Sequence, residues 1–367
     1  MFLKMNVLFR TDSSLTIGTG HVMRCLTLAK QLKQKNANVS FICRDLEGNL
    51  ISFIKDHGFT VYVLPKININ VTDNNDTFKW YKENWQQDVR ETLDIVEAQI
   101  RSIDFFIIDH YGLDEKWESK LKPFTKKLMV IDDLANRKHV CDFLLDQNWY
   151  LNYQDRYKNL VPPECKQLLG PNYVLLREEF IEASRHKRIR DGKIHNILVF
   201  FGGTDPTNET IKTLNALALL ENNIKVNVVV GSSNKRKHEI REYCDRYLNF
   251  FFHCQVSNMA ELMNEADLAI GAGGTTTWER CYLGLPSITI IVADNQIELT
   301  DSVSKFGATI HLGCSHEVTS DQIFEAVKDL IEHPKKAQLL SERASKLVNH
   351  KIVNTYPVVK VIMEELK

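Results

Sequence analysis

Residues 6–32 read NVLFRTDSSLTIGTGHVMRCLTLAKQL, and the order of features in this stretch decides the fold class. A short apolar run, NVLF, is expected to be a strand, and a turn carrying Gly18 and Gly20 follows it. Val22, Cys25, Leu26, Ala29 and Leu32 then recur at helical spacing, as in a helix that packs on a sheet. The pattern continues through NVSFIC, FTVYVL, DFFIID, KLMVID and CDFLLD. It restarts at HNILVFF and runs through VNVVV, FFF, ADLAIGA, SITIIV and ATIHL. Apolar runs alternating with helical patterns imply parallel sheets with crossover helices. Between the two sets lies REEFIEASRHKRIRDGK, which has no apolar continuation after Ile181. The expected architecture is therefore α/β, with Rossmann-like domains at 1–182 and 195–367, a linker at 183–194, and parallel sheets facing across a cleft. The segment opening at Asp73, DNNDTFKWYKENWQQ, is polar at its start and is expected to begin as a mobile loop before turning helical.

Bulk properties narrow the function classes. The chain has 367 residues, 44% of them hydrophobic and 25% charged, a globular composition with room for two cores. Its formal net charge of -1 gives no basic field for nucleic acid or an anionic membrane. Eight cysteines occur without a CxxC pair, which fits reduced thiols in a cytoplasmic protein. No apolar run approaches membrane length, and the N-terminus does not read as a signal peptide. The expected partner is a small molecule bound by a cytoplasmic monomer, with no nucleic acid and no membrane.

Five strand ends carry residues suited to chemistry. In the first loop Gly18 and Gly20 let a ligand approach the backbone, and the free N–H groups of the following helix favour negative charge. Met23 stands where a dinucleotide fingerprint needs its third glycine, and no Walker lysine follows, so neither the NAD nor the P-loop reading is favoured. His21, at the helix mouth, suits a general base, with a packing or capping histidine as the plain alternative. Arg10 and Asp12 at the end of the same strand could orient His21 or hold substrate, and a turn or surface role is open for both. DFFIIDHYG ends a buried strand with Asp109, His110 and Tyr111, which project into a ligand crevice unless Asp109 caps the next turn. Asp132 and Asp133 end another strand, and a metal is the less favoured reading because adjacent strand residues diverge.

In the second half FFGGTD offers Gly203, Thr204 and Asp205, either to a ligand or to a plain strand-to-helix turn. ADLAIGAGGTTTWERCYLGLP supplies Gly273, Gly274, Thr275 and Thr276 where a helix is expected to begin, an arrangement suited to a diphosphate. Glu279, one turn into that helix, could accept the two vicinal hydroxyls of a ribose.

Taken together these motifs resemble the GT-B type sugar-nucleotide enzymes, the group containing the peptidoglycan N-acetylglucosaminyl transferase. LFRTDSSLTIGTGHVMRCLTLAKQL, IIDHYG, LLREEF and GGTD more closely resemble the nucleotide-sugar hydrolases of pseudaminic acid biosynthesis. That family cleaves UDP-2,4-diacetamido-2,4,6-trideoxy-β-L-altropyranose to free sugar and UDP. The resemblance runs from Val7 to about Gln296. It implies that His21 is a general base activating water at the anomeric carbon, with inversion and without a cofactor or metal. It also implies that the second-half loop receives the diphosphate, that Glu279 binds the ribose, and that residues 109–111 belong to the sugar pocket. Extra length near residues 66–90 and at the C-terminus leaves room for a modified pocket. A GT-B glycosyltransferase using a UDP-sugar donor for cell-envelope or spore-coat polysaccharide is the nearest alternative. A non-catalytic nucleotide-sugar sensor is a further one.

Overall fold

The structure is a computed structural model that describes residues 4–67, 74–220 and 223–365. It divides into two compact units, one made of residues 1–148, 152–175 and 355–367, the other of residues 149–151 and 176–354.

The first unit holds seven parallel strands: β1 (Asn6–Thr11), β2 (Asn38–Arg44), β3 (Thr60–Leu64), β4 (Phe105–Asp109), β5 (Lys127–Ile131), β6 (Phe143–Asp146) and β7 (Lys166–Leu169). Their order in the sheet is β3-β2-β1-β4-β5-β6-β7. The helices are α1 (Gly20–Gln34), α2 (Ile51–Asp56), α3 (Asn74–Glu83), α4 (Trp85–Gln99) and α5 (Glu115–Leu121). The apolar stripe of α1 is buried, with Cys25, Ala29 and Leu32 fully so, as the helical spacing requires. Chain order reverses between β1 and β4, so the loops after these two strands flank the switch point where open parallel sheets bind ligands.

The second unit repeats this order. Its strands β8 (Asn196–Phe200), β9 (Lys225–Val230), β10 (Phe250–Cys254), β11 (Leu268–Ala272), β12 (Ser287–Ile291) and β13 (Ile310–Cys314) lie as β10-β9-β8-β11-β12-β13. Helices α6 (Glu178–Ser184), α7 (Glu209–Leu217), α8 (Lys237–Cys244), α9 (Met259–Glu265) and α10 (Thr276–Tyr282) come before β12, and α11 (Ile297–Phe306) before β13. After it come α12 (Ser320–Glu332), α13 (Pro334–Leu347) and α14 (His350–Val353). Here the loops after β8 and β11 flank the switch point.

The division of the chain departs from the one expected in two places. Residues 183–194 are not a free linker. The Arg190 side chain is buried, and its guanidinium donates to the carbonyls of Met263, Ala266 and Leu283. These carbonyls close α9 and α10, where helices leave acceptors unpaired, so the charged stretch is docked onto the second unit. The last helix, α15 (Pro357–Glu364), belongs to the first unit: Val358, Val359 and Ile362 sit in the same apolar core as Val7, Phe9 and Ile107. A third departure concerns the polar segment, which is helical from Asn74 onward in α3, while Asp73 lies outside the described residues.

Ile362→Ala should cost about 3 kcal/mol through the cavity it leaves. Hydrogen exchange should then show faster opening in the strands of the first unit and unchanged protection in the second. Loosening confined to the second unit would contradict this assignment of α15.

Candidate functional site

Both arms of the first switch point carry the residues singled out in the sequence. After β1 the chain turns through Ser14, whose hydroxyl accepts the N–H groups of Thr16 and Ile17, while Gly18 donates to the Ser14 carbonyl. Gly18 has φ +80, a left-handed conformation that favours glycine. A Cβ built on Gly18 or Gly20 would meet nothing within 4 Å, so both glycines leave open space at the mouth of α1. That helix has no side-chain cap and no acid in its first turn, which keeps its N-terminal partial charge available to an anion.

His21, Arg24 and Cys25 fall at positions i, i+3 and i+4 of α1 and share one face. All three meet Asp109 at the end of β4. His21 Nδ1 lies 2.6 Å from Asp109 Oδ1, the Arg24 guanidinium takes both carboxylate oxygens at 2.6 Å, and Cys25 Sγ donates to Oδ2 at 3.4 Å. Asp109 is fully buried. Burial alone would push its carboxyl up, but the Arg24 charge and the His21 ring more than offset this and hold it well below the usual carboxylate range. An ionised carboxylate only accepts hydrogen bonds, so His21 Nδ1 carries a proton toward Asp109, and in the neutral ring Nε2 is the nitrogen with the lone pair. Among the described residues no hydrogen bond uses that Nε2. Arg24 continues to Asp133 at 2.8 Å, and the Tyr111 hydroxyl donates to the same carboxylate at 2.6 Å. The Tyr111 ring stands edge-on to His21, with centroids 4.4 Å apart.

Other expected site residues lie elsewhere. Arg10 and Asp12 are fully buried and do not orient His21. They pair with each other at 2.7 Å, Arg10 reaches Asp88 at 2.9 Å, and Asp12 accepts from the Arg44 N–H and the Tyr81 hydroxyl, each at 2.6 Å. Each side chain of this cluster offsets the desolvation of its neighbours, which is the condition for burying charge. His110 belongs to the same cluster. Its ring is buried, accepts from the Gly112 N–H at 2.9 Å, and lies 3.4 Å from Asp12. Asp132 and Asp133 follow the end of β5 and diverge: Asp132 pairs with Arg137 at 2.7 Å and accepts from Tyr157, whereas Asp133 joins Arg24.

In the second unit Asp205 is engaged locally. Its two oxygens accept the Glu209 and Thr210 N–H groups at 2.9 Å each, which ties the residue to the start of α7. Gly203 and Thr204, just before it, are half-buried. Gly273 and Gly274 answer different demands. A Cβ on Gly273 would lie 2.0 Å from Thr300 Oγ1, so that glycine lets the loop pack against α11. One on Gly274 would meet only Gln296 Nε2, at 3.8 Å. Gly273 N–H donates to the Gln296 side chain, Thr275 is exposed, and α10 begins at Thr276 without a side-chain cap. Glu279 is held by Arg177, which contacts Oε1 through Nε at 3.0 Å and Nη2 at 2.9 Å. Its Oε2 is buried without a partner. Burial pushes the Glu279 carboxyl up, and Arg177 opposes this. Arg24 and Arg177 were not singled out in the sequence. The i+3 spacing of Arg24 from His21 could have flagged the first, and the place of Arg177 in the LLREEF motif could have flagged the second.

Because Asp109 is held below its unfolded value, its contribution to stability is complete above about pH 4 and is lost as the pH falls through the lower folded value. Asp109→Asn should therefore cost about 3 kcal/mol or more at neutral pH by leaving Arg24 unpaired. The gap to the parent should narrow as denaturation is followed below about pH 4. A gap that stays constant into acid would contradict the ion pair.

Residues 196–355 match the glycosyltransferase family 28 C-terminal domain. The chain is 29% identical to an uncharacterized protein of Methanocaldococcus jannaschii over 84% of its own length, and spans 60% of that relative. It is 24% identical to the spore coat polysaccharide biosynthesis protein SpsG of Bacillus subtilis, over 91% of this chain and 92% of that one. Among solved structures, Acinetobacter baumannii MurG superposes with a TM-score of 0.62 at 14% identity, covering 98% of this chain and 99% of that one, which places the fold in the GT-B type. The UDP-2,4-diacetamido-2,4,6-trideoxy-beta-L-altropyranose hydrolase of Campylobacter jejuni is 30% identical over 83% of this chain and 97% of its own. The chain therefore belongs to the family of that nucleotide-sugar hydrolase.

Proposed function

We propose that this protein hydrolyses UDP-2,4-diacetamido-2,4,6-trideoxy-β-L-altropyranose to the free sugar and UDP. The observation that carries the reading is the His21–Asp109 pair, in which Asp109 fixes the ring and Nε2 is left uncommitted. His21 Nε2 takes a proton from water as the water oxygen attacks the anomeric carbon. The bond from that carbon to the phosphate oxygen breaks, its electron pair leaves with UDP, and the configuration inverts. Asp109 stabilises the imidazolium that forms, and Arg24 keeps Asp109 ionised and in place. A lysine in place of His21 would hold phosphate but would be a poor proton acceptor near neutral pH.

In this reading the second unit recognises the leaving group. The loops at Gly203–Thr204 and Gly273–Thr276 meet the diphosphate with backbone N–H groups, and Glu279 Oε2 accepts the ribose hydroxyls while Arg177 holds Oε1. The reaction is proposed to need no metal, a view supported by the carboxylates near His21, which are already committed to Arg24 and Tyr111. A glycosyltransferase with a sugar hydroxyl as acceptor is the second reading, favoured by the match of residues 196–355 to a glycosyltransferase domain. Turnover without acceptor separates the two.

Purified protein should release UDP from the diacetamido-trideoxy-altrose nucleotide without acceptor and with chelator present. His21→Ala should slow release by about 10²–10⁴-fold. UDP bound tightly but never released from a nucleotide sugar would favour the transferase. Release abolished by chelator would overturn the metal-free route. For the ribose contact, Glu279→Ala should weaken UDP by about tenfold or more while leaving the weaker affinity for 2′,3′-dideoxy-UDP unchanged. Equal losses for both nucleotides would contradict the role given to Oε2.

A further inference from the structure

We propose that Phe78, on α3, determines specificity by covering the apolar side of the sugar, and so selects substrates bearing methyl groups over those with a free hydroxymethyl. The inference rests on the UDP-sugar reading above and names what that site selects.

Helix α3 is pinned at two points to the chain between β1 and α1. Thr77 Oγ1 lies 2.9 Å from Thr16 Oγ1 in the glycine loop, and the Tyr81 hydroxyl donates to Asp12 at 2.6 Å. A Cβ on Gly112 would come within 2.6 Å of Tyr81 Cβ, so the chain after β4 passes directly against the helix. Thr77 and Tyr81 are buried by these contacts, and the guanidinium of Arg44 lies over the Trp80 ring at 5.2 Å. Phe78 lies between the two anchors and is half-buried. Its ring centroid is 5.7 Å from that of Tyr111 and 6.0 Å from that of His110, and Tyr111 in turn meets His21 at 4.4 Å. A row of rings therefore runs from Phe78 to the proposed base.

An aromatic face that stays partly wet gains by being covered, and it gains from methyl groups rather than hydroxyls. A hydroxymethyl brought against it would lose water and find no hydrogen-bond partner on the ring. The proposed substrate offers a methyl at C6 and one on each acetamido arm. Sugars that are deoxygenated and acetylated in this way are the class the ring would favour.

The test uses the full chain in a His21→Ala background, so that bound nucleotide sugars survive, with affinities measured by calorimetry. The ligands are UDP, the diacetamido-trideoxy-altrose nucleotide and UDP-N-acetylglucosamine. Phe78→Ala should leave the UDP affinity within about twofold, lower the affinity for the deoxy nucleotide by about tenfold or more, and shrink its preference over UDP-N-acetylglucosamine. Phe78→Leu should keep most of the preference. An undiminished preference in Phe78→Ala would overturn the assignment, as would an equal loss of UDP binding. Failure of hydrolysis is read separately, from the parent enzyme: no turnover with the preference intact would contradict the hydrolase reading alone. Binding of UDP with no contribution from either sugar would contradict both.

Discussion

A carboxylate buried from solvent has to be neutralised from within the protein, and Asp109 meets that requirement with a guanidinium and an imidazole from a single helix face. The consequences extend in both directions along the chain. Arg24 must be paired on both its edges, which brings Asp133 into line, and Asp133 in turn receives the Tyr111 hydroxyl. His21 must present Nδ1 inward, which leaves Nε2 as its remaining polar atom. The α1–β4 packing and the tautomer of the proposed base thus follow from one electrostatic constraint, imposed across 88 residues of sequence.

A second buried cluster, of Arg10, Asp12, Arg44, Asp88 and Tyr81, lies beside the first and has a different part. It ties α3 and α4 to β1 and β2 through charge rather than through apolar contact alone. Fully buried ion pairs of this kind are weak stabilisers against a hydrophobic alternative, but removing one partner is costly. They therefore fix position more than they add stability. Phe78 stands on a helix held in this way, which gives its ring a defined place beside Tyr111.

The fold was legible because its signals are local. Apolar runs such as NILVF and LAIGA followed by helical spacing name strands and crossovers without reference to the rest of the chain. The sites were legible only as far as position. The helix-mouth position singled out His21 and strand-end logic singled out Asp109 and Tyr111, which the structure brings together, whereas strand-end logic also selected Asp12 and His110, which lie in a separate buried cluster. Whether a strand-end acid meets a ligand or a buried arginine depends on partners far away in sequence. For Asp205 the structure adds a local contact, to the N–H groups that open α7, which strand-end logic does not show. The linker at 183–194 rested on a charged stretch with no apolar continuation, whereas Arg190 within it is buried by the carbonyls of two helix ends. The return of α15 to the first unit has no local signal, since Val358 and Ile362 would suit either core.

The claim on which the account turns is that water attacks carbon, with His21 taking its proton. The most direct measurement is turnover in heavy-oxygen water, followed by mass analysis of both products and by early observation of the sugar anomer. The account predicts label in the sugar, none in UDP, and a first-formed anomer of inverted configuration. Label in the UDP phosphate would mean attack at phosphorus, and a retained anomer would mean a covalent intermediate; either would contradict the role assigned to His21.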